Sequence, residues 1–450
     1  MTSIDRHTAS STRTAPHRIV VVGGGVGGLG LATRLGESLG KSGHAQVVLV
    51  DRSPTHFWKP LLHEAASGQI DPATHQLQYA VQARRHGFEF EQGSLHSLDR
   101  VQRRITISAT RDENGREVLP ARDIAFDTLV LALGSVTNYF GVKGAADHAL
   151  PLESVTHAES FRRKLLDACT RANHVRRVSG AQHVQPVSIN IIGAGATGVE
   201  LAAALRDSIR LLHRYSLFAL DPERDFRIRL IEGTERVLPA LSQRISARAQ
   251  RILGGLGVDV LTTTRVTEVR EDAVLTHDGQ HLPSDIAIWT AGIAGPPVLR
   301  VLDGIDVNRN AQVLVTRTLQ TTRDANIFAL GDCAACPSHA DGFLAPRAQV
   351  AHQQAMFLAR ALKCRVGGEA LPEFTYRDAG TLVGFGDVGT IGSLSGLRER
   401  PMYVDGWLAT VVYRLIYRKH VMTVTGFARM ALDTASHWLR RRAHPVIRLH

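Results

Sequence analysis

Two segments of the chain, HRIVVVGGGVGGLGLATRL from His17 and VSINIIGAGATGVELAAAL from Val187, each set a short apolar run directly before a cluster of glycines. Such a run reads as a buried strand, and the residues after the glycines are apolar at helical spacing. Gly23, Gly25 and Gly28 satisfy G-x-G-x-x-G; Gly193, Gly195 and Gly198 repeat it. The first glycine permits the tight turn and the second lets a pyrophosphate approach the backbone. The third lets strand and helix pack closely, so that the helix N-terminus faces the phosphates. A second strand ending in an acid completes each unit, because a carboxylate there accepts from a ribose hydroxyl. QVVLVD supplies Asp51 and IRLIEG supplies Glu232.

Two such units predict an α/β fold with two Rossmann-like dinucleotide-binding domains, and therefore two dinucleotides. The simplest use is one bound flavin and one exchanging nicotinamide, with reducing equivalents passing between them. Glu232 repels a 2′-phosphate by charge and so favours NADH over NADPH, while Arg236, four residues on, is the counter-signal. In ANIFALGDCAAC a third apolar run ends in Gly331-Asp332; this resembles two-dinucleotide flavoproteins, in which an Asp so placed lies near the flavin's ribityl chain. Runs ending at Gly134 (FDTLVLALGS) and Gly292 (DIAIWTAGIAG) read as the segments returning the chain from each nucleotide unit.

Composition is that of a folded globular protein: 44% hydrophobic and 21% charged residues over 450 positions. Four cysteines are too few and too scattered for a secreted disulfide scaffold, and the polar lead over 1–15 lacks the apolar core of a signal peptide. Cys333-x-x-Cys336 has no further ligands at zinc spacing, so no metal is expected and both cysteines read as structural.

With these motifs in place, the sequence resembles the type II NADH:quinone oxidoreductases from about His17 to its C-terminus. THFWKPLLHEAASGQID (Thr55–Asp71), with Lys59, Pro60 and Leu61, is similar to the family's segment beside the flavin. GAGATGVELAAAL resembles its NADH-binding turn, including Glu200; LQTTRDANIFALGDCAACP resembles its flavin-closing strand; and APRAQVAHQQA resembles its quinone-site signature, A-Q-x-A-x-Q-Q. The resemblance implies a flavoprotein with non-covalent FAD that reduces membrane quinone with electrons from NADH. It also implies a peripheral protein on the cytoplasmic face of the cell membrane, often as a homodimer.

Gln349 and Gln353 are four apart and share a helix face, where their amides can serve a quinone carbonyl. His352 between them need not share that face. Glu200 follows the third glycine by two residues; it reads either as a group contacting the nicotinamide or handling protons, or as an acid complementing the helix dipole. The family's lysine near FTYRDAGTL has no match among Arg377, Asp378 and Ala379.

The net charge of +11 is concentrated at the end of the chain: from Arg398 to His450 there are ten Lys/Arg against three acids. Trp407, Leu408, Val411, Val412, Leu415, Ile416, Phe427, Met430, Trp438 and Leu439 interleave with them, which predicts a basic amphipathic helix on an anionic membrane surface. No nucleic-acid motif accompanies the charge, and none is expected as a partner. The division of the chain that follows is 16–155 with 301–390 for FAD, 156–300 for NADH, and 391–450 for the membrane, with 168–187 as a polar loop.

Overall fold

The computed structural model describes residues 16–112, 114–179, 185–215, 217–339, 342–395, 402–426, 430–432 and 434, without the side chains of 417, 419–421 and 423–425. The lead over 1–15 lies outside these residues. So do Phe427, Trp438, Leu439 and the tail's basic positions 398, 400, 429, 440–442 and 448.

In chain order, the strands that build the two nucleotide units are β1 (His17–Val22), β2 (Ala45–Asp51), β3 (Glu89–Gln92), β4 (Thr128–Leu131), β5 (Ala149–Pro151), β6 (Val187–Ile192), β7 (Phe226–Ile231), β8 (Val258–Leu261), β9 (Ile286–Trp289) and β10 (Ile327–Ala329). They form two five-stranded sheets, ordered β10-β4-β1-β2-β3 and β5-β9-β6-β7-β8. Every pairing in both is parallel. Parallel sheets are covered on both faces, and the pattern agrees: Ile19–Val22 and all six residues of β6 are buried. The first sheet closes with β10, contributed by a return of the chain after the second sheet is complete. These are the two Rossmann-like units expected.

The helices that matter here are α1 (Val26–Leu35), α2 (Leu62–Ser67), α3 (Val155–Ser179), α4 (Ala196–Arg214), α5 (Ala348–Val366) and α6 (Gly406–Thr425). α3 corrects the sequence reading, for the polar loop expected from 168 is helical to Ser179. Ala158, Phe161, Leu165, Ala168 and Cys169 form a buried stripe at steps of three and four, continued by Ala172. Polar residues fill the positions between them, but the stripe decides the conformation.

A two-rung antiparallel ribbon ties the units together: Val136 pairs with Ala294 and Thr137 with Ile293. α2 crosses from the first unit into the second, where Leu62, Ala65 and Ala66 share a core with Val199 and Leu201 of α4. Past α5 the chain forms an antiparallel sheet of β11 (Gly380–Gly384), β12 (Thr390–Leu394) and β13 (Met402–Asp405), from which α6 departs.

Candidate functional site

Both glycine turns lie at the carboxyl ends of parallel strands, where open α/β sheets take ligands. Gly23 and Gly193 have φ of +107° and +106°, a conformation closed to most side chains. In each turn the third glycine, Gly28 or Gly198, presses on the carbonyl of the first, so a β-carbon would collide with backbone. Gly25 and Gly195 face open space instead. They begin α1 and α4, and neither helix has a side-chain cap or an acid in its first turn. Each leaves a set of amides for an anion.

The strand-end acids hold these turns. Asp51 accepts from the Gly24 amide at 2.6 Å and the Ser53 amide at 2.8 Å. Glu232 accepts from the Ala194 amide at 2.8 Å and from the amide and hydroxyl of Thr234. Burial raises the Asp51 carboxyl, opposed by the amides it accepts from. Two residues that sequence reasoning passed over pin the Gly24 carbonyl: Tyr79 donates from its hydroxyl at 2.6 Å, and His56 approaches through Nδ1 at 2.9 Å. Arg236 is committed elsewhere. Its guanidinium donates to the carbonyls of Pro239 and Leu241 and to the Ser246 hydroxyl.

Asp332 accepts from the Ser135 hydroxyl at 3.0 Å, just beyond Gly134, whose surroundings are open. Burial raises its carboxyl, and Lys59 is close enough to oppose this at Asp332 and at Asp51, while at the His157 ring it adds to the lowering by burial. Lys59, Pro60 and Leu61 form one 3-10 turn leading into α2. Across the ribbon the Phe140 ring lies on Gly292. Cys333 and Cys336 are buried, unpaired thiols, pushed up to about 12 and about 11 by desolvation. No group of His, Cys, Asp and Glu suited to a metal occurs among the described residues.

On α5 the two glutamines that share a face both hold the segment 376–377. Gln353 donates to the Arg377 carbonyl at 2.7 Å and accepts from its amide at 3.1 Å. Gln349 accepts from the Tyr376 hydroxyl at 3.1 Å. Arg347, just before the first turn of the helix, reaches toward Thr381 and Asp378, and Tyr376 also points at Asp378. The neighbouring Gln354 turns inward, its carbonyl accepting from the Gly331 amide at 2.7 Å. His352 is half-buried beside them.

Glu200 lies outside the first turn of α4 and is 8% exposed, so the reading as an acid complementing the helix dipole falls away. It accepts from the Gly384 amide at 3.0 Å and from the Tyr413 hydroxyl at 3.3 Å, and His63 Nδ1 stands 3.6 Å from its other oxygen. Desolvation outweighs the two hydrogen bonds and pushes the carboxyl up to about 8. Burial holds the His63 ring neutral, lowered to about 4. A protonated acid and a neutral imidazole therefore face each other at neutral pH, between the helix of the second glycine turn and α6.

That helix, α6, presents its apolar residues outward. Trp407 is 78% exposed, and Leu408, Val411, Leu415 and Met422 are exposed on the same arc. Ala409 and Tyr413 occupy the inner side. No helix among the described residues is long and apolar enough to cross a membrane.

Comparison with known proteins gives a consistent picture. The model of the pyridine nucleotide-disulphide oxidoreductase family matches residues 17–355. A type II NADH:quinone oxidoreductase from Haemophilus influenzae is 37% identical over 442 residues, spanning 96% of this chain and 99% of its own length. One from Staphylococcus aureus is 28% identical over 385 residues, spanning 84% of this chain and 90% of its own. Among solved structures, NDH2 from Plasmodium falciparum in complex with NADH superposes with a TM-score of 0.79 at 18% identity, over 96% of this chain and all of that one. The sulfide:quinone oxidoreductase from Aquifex aeolicus gives 0.71 at 18% identity, over 95% and 96% of the two chains.

Proposed function

The chain belongs to the type II NADH:quinone oxidoreductases within the pyridine nucleotide-disulphide oxidoreductase family, and from that premise we propose how its own residues divide the work. The enzyme oxidises NADH and reduces quinone by way of a flavin, without proton pumping. FAD, when bound, supplies the redox chemistry.

The first glycine turn fits that cofactor: its middle glycine is open, and the amides of α1 lack an internal partner for an anion. Gly23, Gly25 and Gly28 hold the pyrophosphate, Asp51 the ribose, Lys59–Leu61 one side of the ring system, and Gly134 with Asp332 the ribityl side. Gly193, Gly195, Gly198, Glu232 and Gly292 hold NADH in the same manner. In this division 16–155 and 301–390 carry FAD, 156–300 carries NADH and 391–450 meets the membrane, save that β5 (Ala149–Pro151) lies in the second sheet and goes with the NADH unit.

Gln349 and Gln353 act on quinone by fixing the wall formed by Tyr376 and Arg377. Glu200 holds one of the two protons that quinone reduction consumes. α6 rests on an anionic leaflet through Trp407, Leu408, Val411 and Leu415, with Arg414 and Arg418 at the rim. The protein sits peripherally on the cytoplasmic face, and a homodimer follows from the family resemblance.

The position of Glu200 carries this reading. A buried carboxyl that keeps its proton near neutral pH, set between the nucleotide helix and the helix with the outward apolar face, serves a reaction that takes up protons at a lipid-borne acceptor. The test is NADH oxidation by the full-length, FAD-loaded chain with a short-chain quinone analogue. NADH should bleach the yellow flavin and quinone should restore it. Absence of NADH-driven quinone reduction, or an unchanged rate and pH profile in Glu200→Gln, defeats these assignments.

A further inference from the structure

Glu200 takes its side-chain hydrogen bond from a helix that belongs to neither nucleotide unit. Tyr413 lies on the inner side of α6, 213 positions along the chain, and its hydroxyl is 3.3 Å from Glu200 Oε1. Burial and the neighbouring carboxyls hold the phenol well above its ordinary value, so it remains a donor throughout the physiological range. α6 also packs on the antiparallel sheet and on α1: Ala409 is fully buried, and Thr410 meets Thr390 at 3.2 Å.

The groups facing the carboxyl come from three other elements. α2 offers His63 at 3.6 Å and, more distantly, Glu64; β11 offers the Gly384 amide at 3.0 Å; α6 offers Tyr413. On α4 itself, Asp207 lies two turns on and accepts from the Asp387 amide at 2.9 Å. His63 is neutral, so among the described residues no formal cation lies against Glu200. Its anion is supported by hydrogen bonds, one fixed in backbone and one carried on the helix whose outer face is apolar and exposed.

We propose that Tyr413 is a positioning residue for Glu200, and that by donating to Oε1 from α6 it makes proton exchange at the nucleotide cleft depend on how that helix is seated on lipid. The proposal rests on the reading of Glu200 as a proton-handling group. The sign follows from the donor: an O–H bond to a carboxylate favours the anion, so loosening it raises the carboxyl's affinity for its proton. Seating α6 on a bilayer holds Tyr413 in place and keeps that affinity lower.

The experiment uses full-length, FAD-loaded enzyme as wild type, Glu200→Gln and Tyr413→Phe, with and without vesicles of mixed anionic and zwitterionic phospholipid. Two quantities are followed against pH: the infrared band of the protonated carboxyl, assigned by its loss in Glu200→Gln, and kcat and KM for a short-chain quinone. Tyr413→Phe should raise the band's midpoint by about one pH unit, with kcat following and KM for NADH unchanged. Vesicles should lower the wild-type midpoint and leave that of Tyr413→Phe in place. If Tyr413→Phe loses its flavin, 3-fluorotyrosine at 413, a stronger donor, should lower the midpoint instead.

A Tyr413→Phe midpoint equal to that of wild type overturns the proposal, as does a 3-fluorotyrosine midpoint that stays in place, or a vesicle effect of equal size in both proteins. If Glu200→Gln removes neither the band nor the kinetic inflection, the reading of Glu200 itself fails. If it removes both and Tyr413→Phe moves neither, only the role of Tyr413 fails.

Discussion

Asp51 and Glu232 stand in equivalent places in the two nucleotide units, each accepting an amide hydrogen from its own glycine turn, Gly24 in one and Ala194 in the other. Each acid therefore does two things at once. It braces the turn from below and, in the proposed reading, offers its remaining acceptor capacity to a ribose. The second unit carries Arg236 four residues past its acid, and the structure accounts for that cation: Arg236 is consumed by two carbonyls and the Ser246 hydroxyl.

NADPH should consequently be a poor substrate. With Glu232 repelling a 2′-phosphate and Arg236 unable to receive it, kcat/KM for NADPH is expected at least tenfold below that for NADH. Glu232→Gln should narrow the gap while lowering kcat/KM for NADH by about ten- to a hundredfold, the loss of one charged hydrogen bond. Steady-state kinetics with both nucleotides checks this, and equal use of the two by wild type refutes it.

Stability should fall toward alkaline pH through Glu200. The folded carboxyl keeps its proton up to about 8, against an ordinary glutamate value of 4.5. A raised acid favours the folded state most at low pH, and that contribution is lost as pH climbs from about 4.5 through about 8. His56 and His63, lowered to about 4 by burial, act oppositely: their contribution is present above 6.5 and lost as pH falls toward 4. Glu200→Gln removes the alkaline slope alone, so the difference in Tm between variant and wild type should grow from pH 5 to pH 8.5. A constant difference contradicts this.

Thiol chemistry should be absent from turnover. Cys169, Cys333 and Cys336 are buried, with the thiol of each pushed upward by burial, whereas Cys364 is only half-buried. An aromatic disulfide reagent at pH 8 should modify about one thiol per native chain and all four after denaturation. The double variant Cys333→Ala/Cys336→Ala should keep quinone reduction, apart from any cost to stability. Loss of flavin reduction by NADH in a folded double variant speaks against a purely structural role.

The outer face of α6 should govern membrane association separately from NADH chemistry. Trp407→Glu and Leu415→Glu each remove a large exposed apolar side chain from that face, worth about 1.5–3 kcal/mol of lipid burial. Vesicle sedimentation should show roughly a tenfold or greater loss of partitioning for either variant. The rate of flavin reduction by NADH should stay unchanged. Undiminished binding by both variants excludes this face as the contact.

The parts legible in the sequence were those that local rules dictate. The glycine spacing at 23, 25 and 28 and at 193, 195 and 198 fixes strand, turn and helix together, because every element of that motif lies within 20 residues. The same-face spacing of Gln349 and Gln353 was readable too, whereas their partners at 376 and 377 follow a break in the chain's direction and were not. Glu200 was visible as a candidate but its environment was not. His63, Gly384 and Tyr413 come from three remote segments, and no periodicity connects them. α3 beyond residue 168 was missed for another reason. Its apolar stripe is interrupted by so many polar side chains that the eye reads a loop, though steps of three and four persist to Ala172.

The ribbon of Val136 and Thr137 against Ala294 and Ile293 has Gly134 two residues before one rung and Gly292 one residue before the other. A main-chain ladder that short has no slack to take up. The gap between the two halves is thereby written into peptide geometry, and drift in the surrounding side chains leaves it where it is.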